Sequence, residues 1–176
     1  MKRIDSVKNP LIKHILKLTE KSRERRKTGL FIVEGQRELL LAFKGGYSIT
    51  TILFQPDIFP ERDLETLLTH TDAGTEVIAI SSDVYQKIAY RGTTEGVLAI
   101  GKIRKNTLSG LVFKNNDPLI LVAEAPEKPG NIGALLRTAD AAGLDAVMIA
   151  NPRTDLFSPN IIRSSVGCVF TVPVVT

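Results

Sequence analysis

Two uninterrupted apolar runs, Leu119–Ala123 (LILVA) and Ala146–Ala150 (AVMIA), flank a segment of helical spacing, and this pairing constrains the fold more than any other feature. Strands that are apolar on both faces belong in a sheet covered on both sides, the usual setting of parallel strands with crossover helices. A third apolar run follows at Cys168–Val174. Residues 118–176 therefore read as strands at 119–123, 146–150 and 168–174 with helices at 131–142 and 158–164. That is half of a doubly wound parallel sheet, and no internal repeat supplies the other half.

The preceding residues have a different rhythm. Leu11, Ile12, Ile15, Leu16 and Leu18 recur at helical spacing after Asn9-Pro10, which predicts one helix running into the basic stretch near Arg26 and stopped by Gly29. Strands are expected at Leu30–Val33, Ser48–Phe54, Glu76–Ile80 and Gly96–Ile100. Helices between them are expected at Arg37–Lys44, Pro60–His70 and Ser82–Ala89, the last capped by Ser81 or Ser82. This alternation indicates a small α/β domain over residues 1–101. Residues 102–117 lose periodicity and collect Lys, Asn, Ser and Gly, as a linker would, leaving 118–176 as the second domain.

Charge is unevenly shared. The net +4 conceals ten Lys/Arg against three acids in residues 1–27, a local +7 that leaves −3 elsewhere. A segregated basic arm suits a polyanion such as RNA, although a solvated helix face has the same composition. One cysteine, Cys168, excludes an internal disulfide framework, and His14 and His70 are too few and too far apart to indicate a metal site. The apolar runs are strand-sized, short of the roughly 20 residues of a membrane helix, and no secretory signal is visible. The expectation is a cytoplasmic, metal-free protein with no membrane association.

The loop from Glu124 to Gly130 follows a strand, at the end of an open α/β sheet where ligands bind. Neither G-x-G-x-x-G nor G-x-x-x-x-G-K-[ST] is present, which disfavours ordinary dinucleotide and Walker-type binding. Gly130 and Gly133 leave room for close backbone approach, Asn131 is placed to cap the helix, and Arg137 interrupts a run of Ala and Leu. Arg137 has two readings: an ion pair with Asp140 on a solvated face, or a bidentate phosphate ligand. Ser158-Pro159…Arg163-Ser164-Ser165-Val166-Gly167 brings a second arginine with hydroxyls before the next strand. A KH-type G-x-x-G loop is the weaker reading of Gly130–Gly133.

The order Pro129, Asn131, Gly133, Arg137, Ala139, Ala141, Gly143, followed by S-P-x-x-x-R-x-S-x-G at 158–167, resembles the SpoU/TrmH family of RNA ribose 2′-O-methyltransferases in the SPOUT superfamily. Residues 6–10, the basic helix, 29–35 and 95–99 resemble the ribosomal-protein-like RNA-binding domain that precedes the catalytic domain there. The resemblance implies a small α/β RNA-binding domain followed by the first half of a parallel, knotted Rossmann-like SPOUT domain. It implies transfer of a methyl group from S-adenosylmethionine to a ribose 2′-hydroxyl of ribosomal or transfer RNA, with ribosomal RNA favoured. Arg137 would be the catalytic arginine and Asn131 its partner, with Arg25, Arg26, Lys27, Arg37, Arg163 and Ser165 facing RNA. Glu124 and Lys128 depart from the acidic Asp-like residues of many relatives.

In this family the cofactor sits in a trefoil knot built from a later E-G-x-G loop and an S-L-N segment, which also supply the homodimer surface. Neither motif occurs in these 176 residues. The resemblance thus implies a chain shortened before its cofactor site, which leaves the cofactor-binding residues unassigned, S-adenosylmethionine bound weakly or not at all, and the usual dimer in doubt. A non-catalytic RNA-binding module is the alternative reading, and a small-molecule enzyme using the strand-end pocket is a third.

Overall fold

The computed structural model describes residues 2–90, 95–113 and 116–176. Its chain divides into two compact units, Met1–Ile103 and Arg104–Thr176. In the first, the elements run β1 (Lys2–Ile4), α1 (Pro10–Glu20), α2 (Ser22–Thr28), β2 (Leu30–Glu34), α3 (Gln36–Lys44), β3 (Ile49–Phe54), α4 (Glu61–Leu68), β4 (Glu76–Ile80), α5 (Ser82–Ile88) and β5 (Val97–Lys102). They form a five-stranded mixed sheet of order β1-β4-β3-β5-β2, parallel between β1, β4 and β3 and antiparallel where β5 pairs with β3 and β2.

Helix α1 begins where Pro10 occupies its first turn and Asn9 Oδ1 accepts the Leu11 amide at 2.9 Å. Its apolar stripe, Ile12, Ile15 and Leu18, is wholly buried against Ile32, Leu53, Ile78, Ile80 and Ile100. The single helix expected here is two helices. Periodicity ends after Leu18, the chain extends at Lys21 (φ −116°, ψ 109°), and α2 sets off with no apolar residue of its own. Gly29 closes α2 in the left-handed conformation (φ 67°), donating its amide to the Arg25 carbonyl at 2.8 Å. Of the two candidate serines, Ser81 caps α5, its hydroxyl accepting from Val84 N.

The second unit contains a short 3-10 turn (Leu108–Gly110), then β6 (Ile120–Glu124), α6 (Pro129–Ala141), β7 (Ala146–Ala150), α7 (Pro159–Ser164), α8 (Cys168–Thr171) and β8 (Val174–Val175). The three strands are parallel in the order β6-β7-β8, with Ile120 opposite Ala146 and Val147 opposite Val174. The stretch expected as a linker over 102–117 includes 114 and 115, which lie outside the described residues. Its Asn106 accepts the Thr176 amide at 3.1 Å, within the second unit.

Two expectations need correction here. The strand expected at Cys168–Val174 is the helical turn α8 followed by two strand residues. Gly167 reverses the chain in the left-handed region, Ser165 Oγ accepts the Val169 amide at 3.4 Å, and Val169 and Phe170 are both buried. Local β propensity yields to that burial. Strand β6 is also not covered on both faces within the described residues: Val122 is 66% exposed, whereas Val147 at the centre of the sheet is 0% exposed. Central β7 fits the buried-strand reading, and edge strand β6 does not.

Candidate functional site

At the carboxyl end of β6 the chain turns through Ala125, which adopts a positive φ of 45° and donates its amide to Ala150 O at 2.8 Å. The neighbouring strand ends in the same way, with Asn151 at φ 47°. Asn151 Nδ2 donates to Glu124 Oε1 at 2.7 Å, so the two strand ends present a carboxylate held by an amide. Non-glycine residues in this region carry a conformational cost that surrounding structure must offset. Asn151 is not among the expected site residues; Asn-Pro after a strand marks a turn, but proline biases the preceding residue toward extended backbone, so the left-handed conformation was not legible.

Helix α6 starts two residues earlier than the spacing predicts. Lys128 is the flanking residue, without a side-chain cap, and Pro129 occupies the first helical position. Asn131 is therefore not the cap. It lies in the first turn of the helix, its amide bonded to Lys128 O at 3.0 Å and its side chain exposed with no hydrogen-bond partner among the described residues.

Arg137, six residues further on, lies about 9 Å along the axis. Its Nη1 donates to the carbonyl of Ser164 at 2.7 Å, in place of the ion pair with Asp140 that its spacing allowed. Ser164 is the last residue of α7, so its carbonyl lacks an intrahelical donor. One of the five guanidinium N–H groups is used in this bond, and the side chain is exposed.

Around that bond α6 and α7 interlock. A Cβ at Gly133 would lie 2.5 Å from the Ser164 carbonyl carbon and 2.6 Å from its Cβ, so only glycine permits this approach. Ser164 Oγ donates to Pro129 O at 3.0 Å, which ties α7 to the first turn of α6. Gly130 plays no such part: a Cβ there would meet nothing within 4 Å, leaving open space beside the helix start. Beyond Ser164 the chain passes through Val166 at φ 58°, a conformation that disfavours β-branched residues.

The remaining expected site residues separate. Arg163 is exposed on the last turn of α7. Ser165 is 0% exposed, with Oγ donating to Ile162 O at 3.0 Å and accepting from Val169 N, so it stitches α7 to α8 and does not face a ligand. Arg26 and Lys27 are exposed on α2, whereas Arg25 is 4% exposed and its Nη1 donates to Leu18 O at 2.6 Å and Thr19 O at 3.1 Å. Arg25 is therefore withdrawn from the set of residues that meet a phosphate directly. Arg37 is exposed and paired with Glu38 Oε1 at 2.7 Å.

Burial pushes the Cys168 thiol above its usual 9.0, the Asp140 carboxylate and its hydrogen bond push it further, and Arg137 opposes them. A thiol so protonated is no nucleophile at neutral pH. Among the described residues no group of three or more His, Cys, Asp or Glu could hold a metal ion, and no helix is long and apolar enough to cross a membrane.

The second unit is thus an α/β layer structure with an open amide, Asn131, in the first turn of the helix that follows β6, and an exposed arginine further along that helix, positioned by its bond to Ser164. Residues 9–99 match the MRM3-like substrate binding domain, and residues 118–176 match the SpoU rRNA Methylase family. The chain thus belongs with the proteins that carry the MRM3-like substrate binding domain, followed here by a segment similar to the SpoU rRNA Methylase family. It is 33% identical, over 99% of its length and 65% of the relative's, to the 23S rRNA (guanosine(2553)-2′-O)-methyltransferase RlmP of Bacillus subtilis.

Among solved structures it resembles the AdoMet-bound rRNA methyltransferase of Sinorhizobium meliloti, with a TM-score of 0.85 and 28% identity over 99% of this chain and 64% of that one. It also resembles the SpoU methyltransferase AviRb of Streptomyces viridochromogenes in complex with AdoMet, with a TM-score of 0.83 and 27% identity over 96% and 63%. The chain spans just under two thirds of the length of these relatives.

Proposed function

We propose that this chain is part of an enzyme that transfers a methyl group from S-adenosylmethionine to a ribose 2′-hydroxyl of RNA, with ribosomal RNA as the substrate. Relatives bearing that activity in their names support the reaction, and the geometry at Arg137 supports the site. S-adenosylmethionine supplies an activated methyl group on a positively charged sulfonium. The Arg137 guanidinium would repel that charge and suits a phosphate. The Glu124 carboxylate, held by Asn151, is the strand-end group whose charge suits the donor.

The division of labour follows from the side chains. A guanidinium, with a pKa above about 12, is a poor base, so Arg137 holds the phosphate beside the target ribose and stabilises the alkoxide that develops at O2′. Asn131 at the start of the same helix can accept from, or donate to, that hydroxyl. As the C–O bond forms, the S–C bond breaks and the hydroxyl proton passes to solvent. The protein's main contribution is orientation.

The observation that carries this reading is the bond from Arg137 to Ser164, which fixes the guanidinium while leaving four N–H donors for an anion. The test is methyl transfer to RNA by the protein expressed from its natural locus, followed by mapping of ribose methylation, comparing wild type with Arg137→Ala. An unchanged rate would refute the assignment. A separate observation favours a simpler second reading, RNA binding without catalysis. Lys13, Lys17, Lys21, Arg23, Arg26 and Lys27 are all exposed, with no ion pair among the described residues. Steeply salt-dependent RNA affinity is expected under both readings, and methyl transfer separates them. A cytoplasmic location completes the proposal, checked by fractionation.

A further inference from the structure

Helix α2, SRERRKT, contains no apolar residue, and its one buried side chain is Arg25. Seven polar residues have neither the intrinsic stability nor the apolar stripe that keeps a short helix folded. Lys21, which flanks its start, makes no side-chain cap. Its ties to the rest of the unit are polar. Arg25 Nη1 reaches back to Leu18 O at 2.6 Å and Thr19 O at 3.1 Å, two carbonyls in the last turn of α1 that have no intrahelical donor. A cation there also meets the negative end of the α1 dipole. His14 Nε2 lies 3.8 Å from Glu24 Oε1, and Gly29 closes the far end on the Arg25 carbonyl.

The remaining cations of α2 point elsewhere. Arg26 and Lys27 follow Arg23 by three and four residues, the spacing that places side chains on one helix face, while Arg25 falls on the opposite side. All three are exposed. The most basic segment of the chain thus has one arginine facing inward and three cations, two arginines and a lysine, facing solvent together.

We propose that Arg25 is a positioning residue for RNA: by tying α2 to the terminal carbonyls of α1 it holds Arg23, Arg26 and Lys27 as one pre-ordered face for successive phosphates. This rests on the RNA reading above. Ordering the face before binding removes an entropic cost that flexible side chains on a frayed segment would otherwise incur on contact. Arg25 meets no phosphate itself.

That distinction can be measured, because each phosphate neutralised on a single strand contributes about 0.7 to the slope of log K against log salt. The experiment follows binding of a fluorescent oligouridylate across a salt series, together with amide hydrogen exchange of the free protein, for wild type, Arg25→Gln, Arg25→Lys and Arg26→Gln. Arg25→Gln is expected to weaken binding about tenfold, the worth of one charged hydrogen bond, with the slope unchanged. Exchange across α2 should quicken while the β3 and β5 amides stay protected, and Arg25→Lys should fall between. Arg26→Gln should lower the slope by about 0.7 and leave α2 protection intact. A slope reduced as much by Arg25→Gln as by Arg26→Gln would overturn the proposal, as would unchanged affinity and unchanged α2 protection. Wild type that fails to bind at low salt would instead refute the RNA reading and with it the purpose of the face, while exchange would still report whether Arg25 holds the helix.

Discussion

Replacing Gly133 with alanine tests the helix interlock that sets Arg137. An alanine in a helix interior ordinarily gains about 1 kcal/mol over glycine. Here the new Cβ would stand 2.5 Å from the Ser164 carbonyl carbon and 2.6 Å from its Cβ. Because a backbone atom blocks the way, no rotamer change relieves the contact, and α7 must move, at a cost near the upper end of the roughly 1–3 kcal/mol of overpacking. Movement also stretches the 2.7 Å bond from Arg137, worth about 1 kcal/mol at an exposed site. The balance is a destabilisation of about 2–3 kcal/mol in the second unit, from roughly 3 plus 1 against the helix gain of 1. At 1.4 kcal/mol per tenfold, amide protection in α6 should fall about 30- to 150-fold. Gly130→Ala is the matched control: its Cβ meets nothing within 4 Å, so protection should stay level or rise by up to about fivefold. Hydrogen exchange read by mass spectrometry decides between them. If Gly133→Ala protects α6 as well as Gly130→Ala does, the interlock is not real and Arg137 is not held as described.

Other outcomes follow from the same geometry. Arg137→Ala should slow methyl transfer by about 10²–10³, the usual effect of removing a transition-state donor, and shift stability by less than about 1 kcal/mol because the side chain is exposed. Rate and denaturation measurements on one preparation check the pair. Since the folded thiol of Cys168 titrates above its ordinary 9.0, the stability it carries is full below 9.0 and is lost as pH rises through the folded value. Iodoacetamide should accordingly react more slowly at pH 8 with the folded than with the urea-unfolded protein. Asp140→Asn should quicken that reaction and Arg137→Ala slow it further; the reverse order would contradict the placement of the three groups. Val166→Gly should be neutral or stabilising within about 1 kcal/mol, since relief of a left-handed β-branched residue offsets the added unfolded-state entropy. A loss beyond about 2 kcal/mol in chemical denaturation would mean that its side-chain packing matters more than its backbone strain.

What the sequence revealed and what it hid have physical causes. The rhythm of apolar runs located most of the helices and strands, because burial imposes periods of two and 3.6 directly on residue choice. It missed β1, whose three residues carry one buried side chain, Ile4. It misread Cys168–Thr171, where an apolar β-branched run turns helically behind a left-handed glycine. At the site, Gly133 and Gly130 look alike in sequence, and only the position of Ser164 on a different helix tells them apart. Asn131 has the chemistry of a cap, yet Pro129 had already fixed where the helix starts. Among ten cations near the N-terminus nothing local marks Arg25 as the buried one, except that α2 has no apolar residue to bury in its place.

The central claim is that Arg137 serves ribose methylation of RNA. Its most direct test is made in the organism, with codon 137 changed to alanine at the natural locus and ribosomal RNA mapped for 2′-O-methyl groups by resistance of the adjoining phosphodiester to alkali. Loss of methylation at one ribosomal nucleotide, restored by the wild-type gene, is the predicted result, whereas a methylation map identical to wild type would contradict the account.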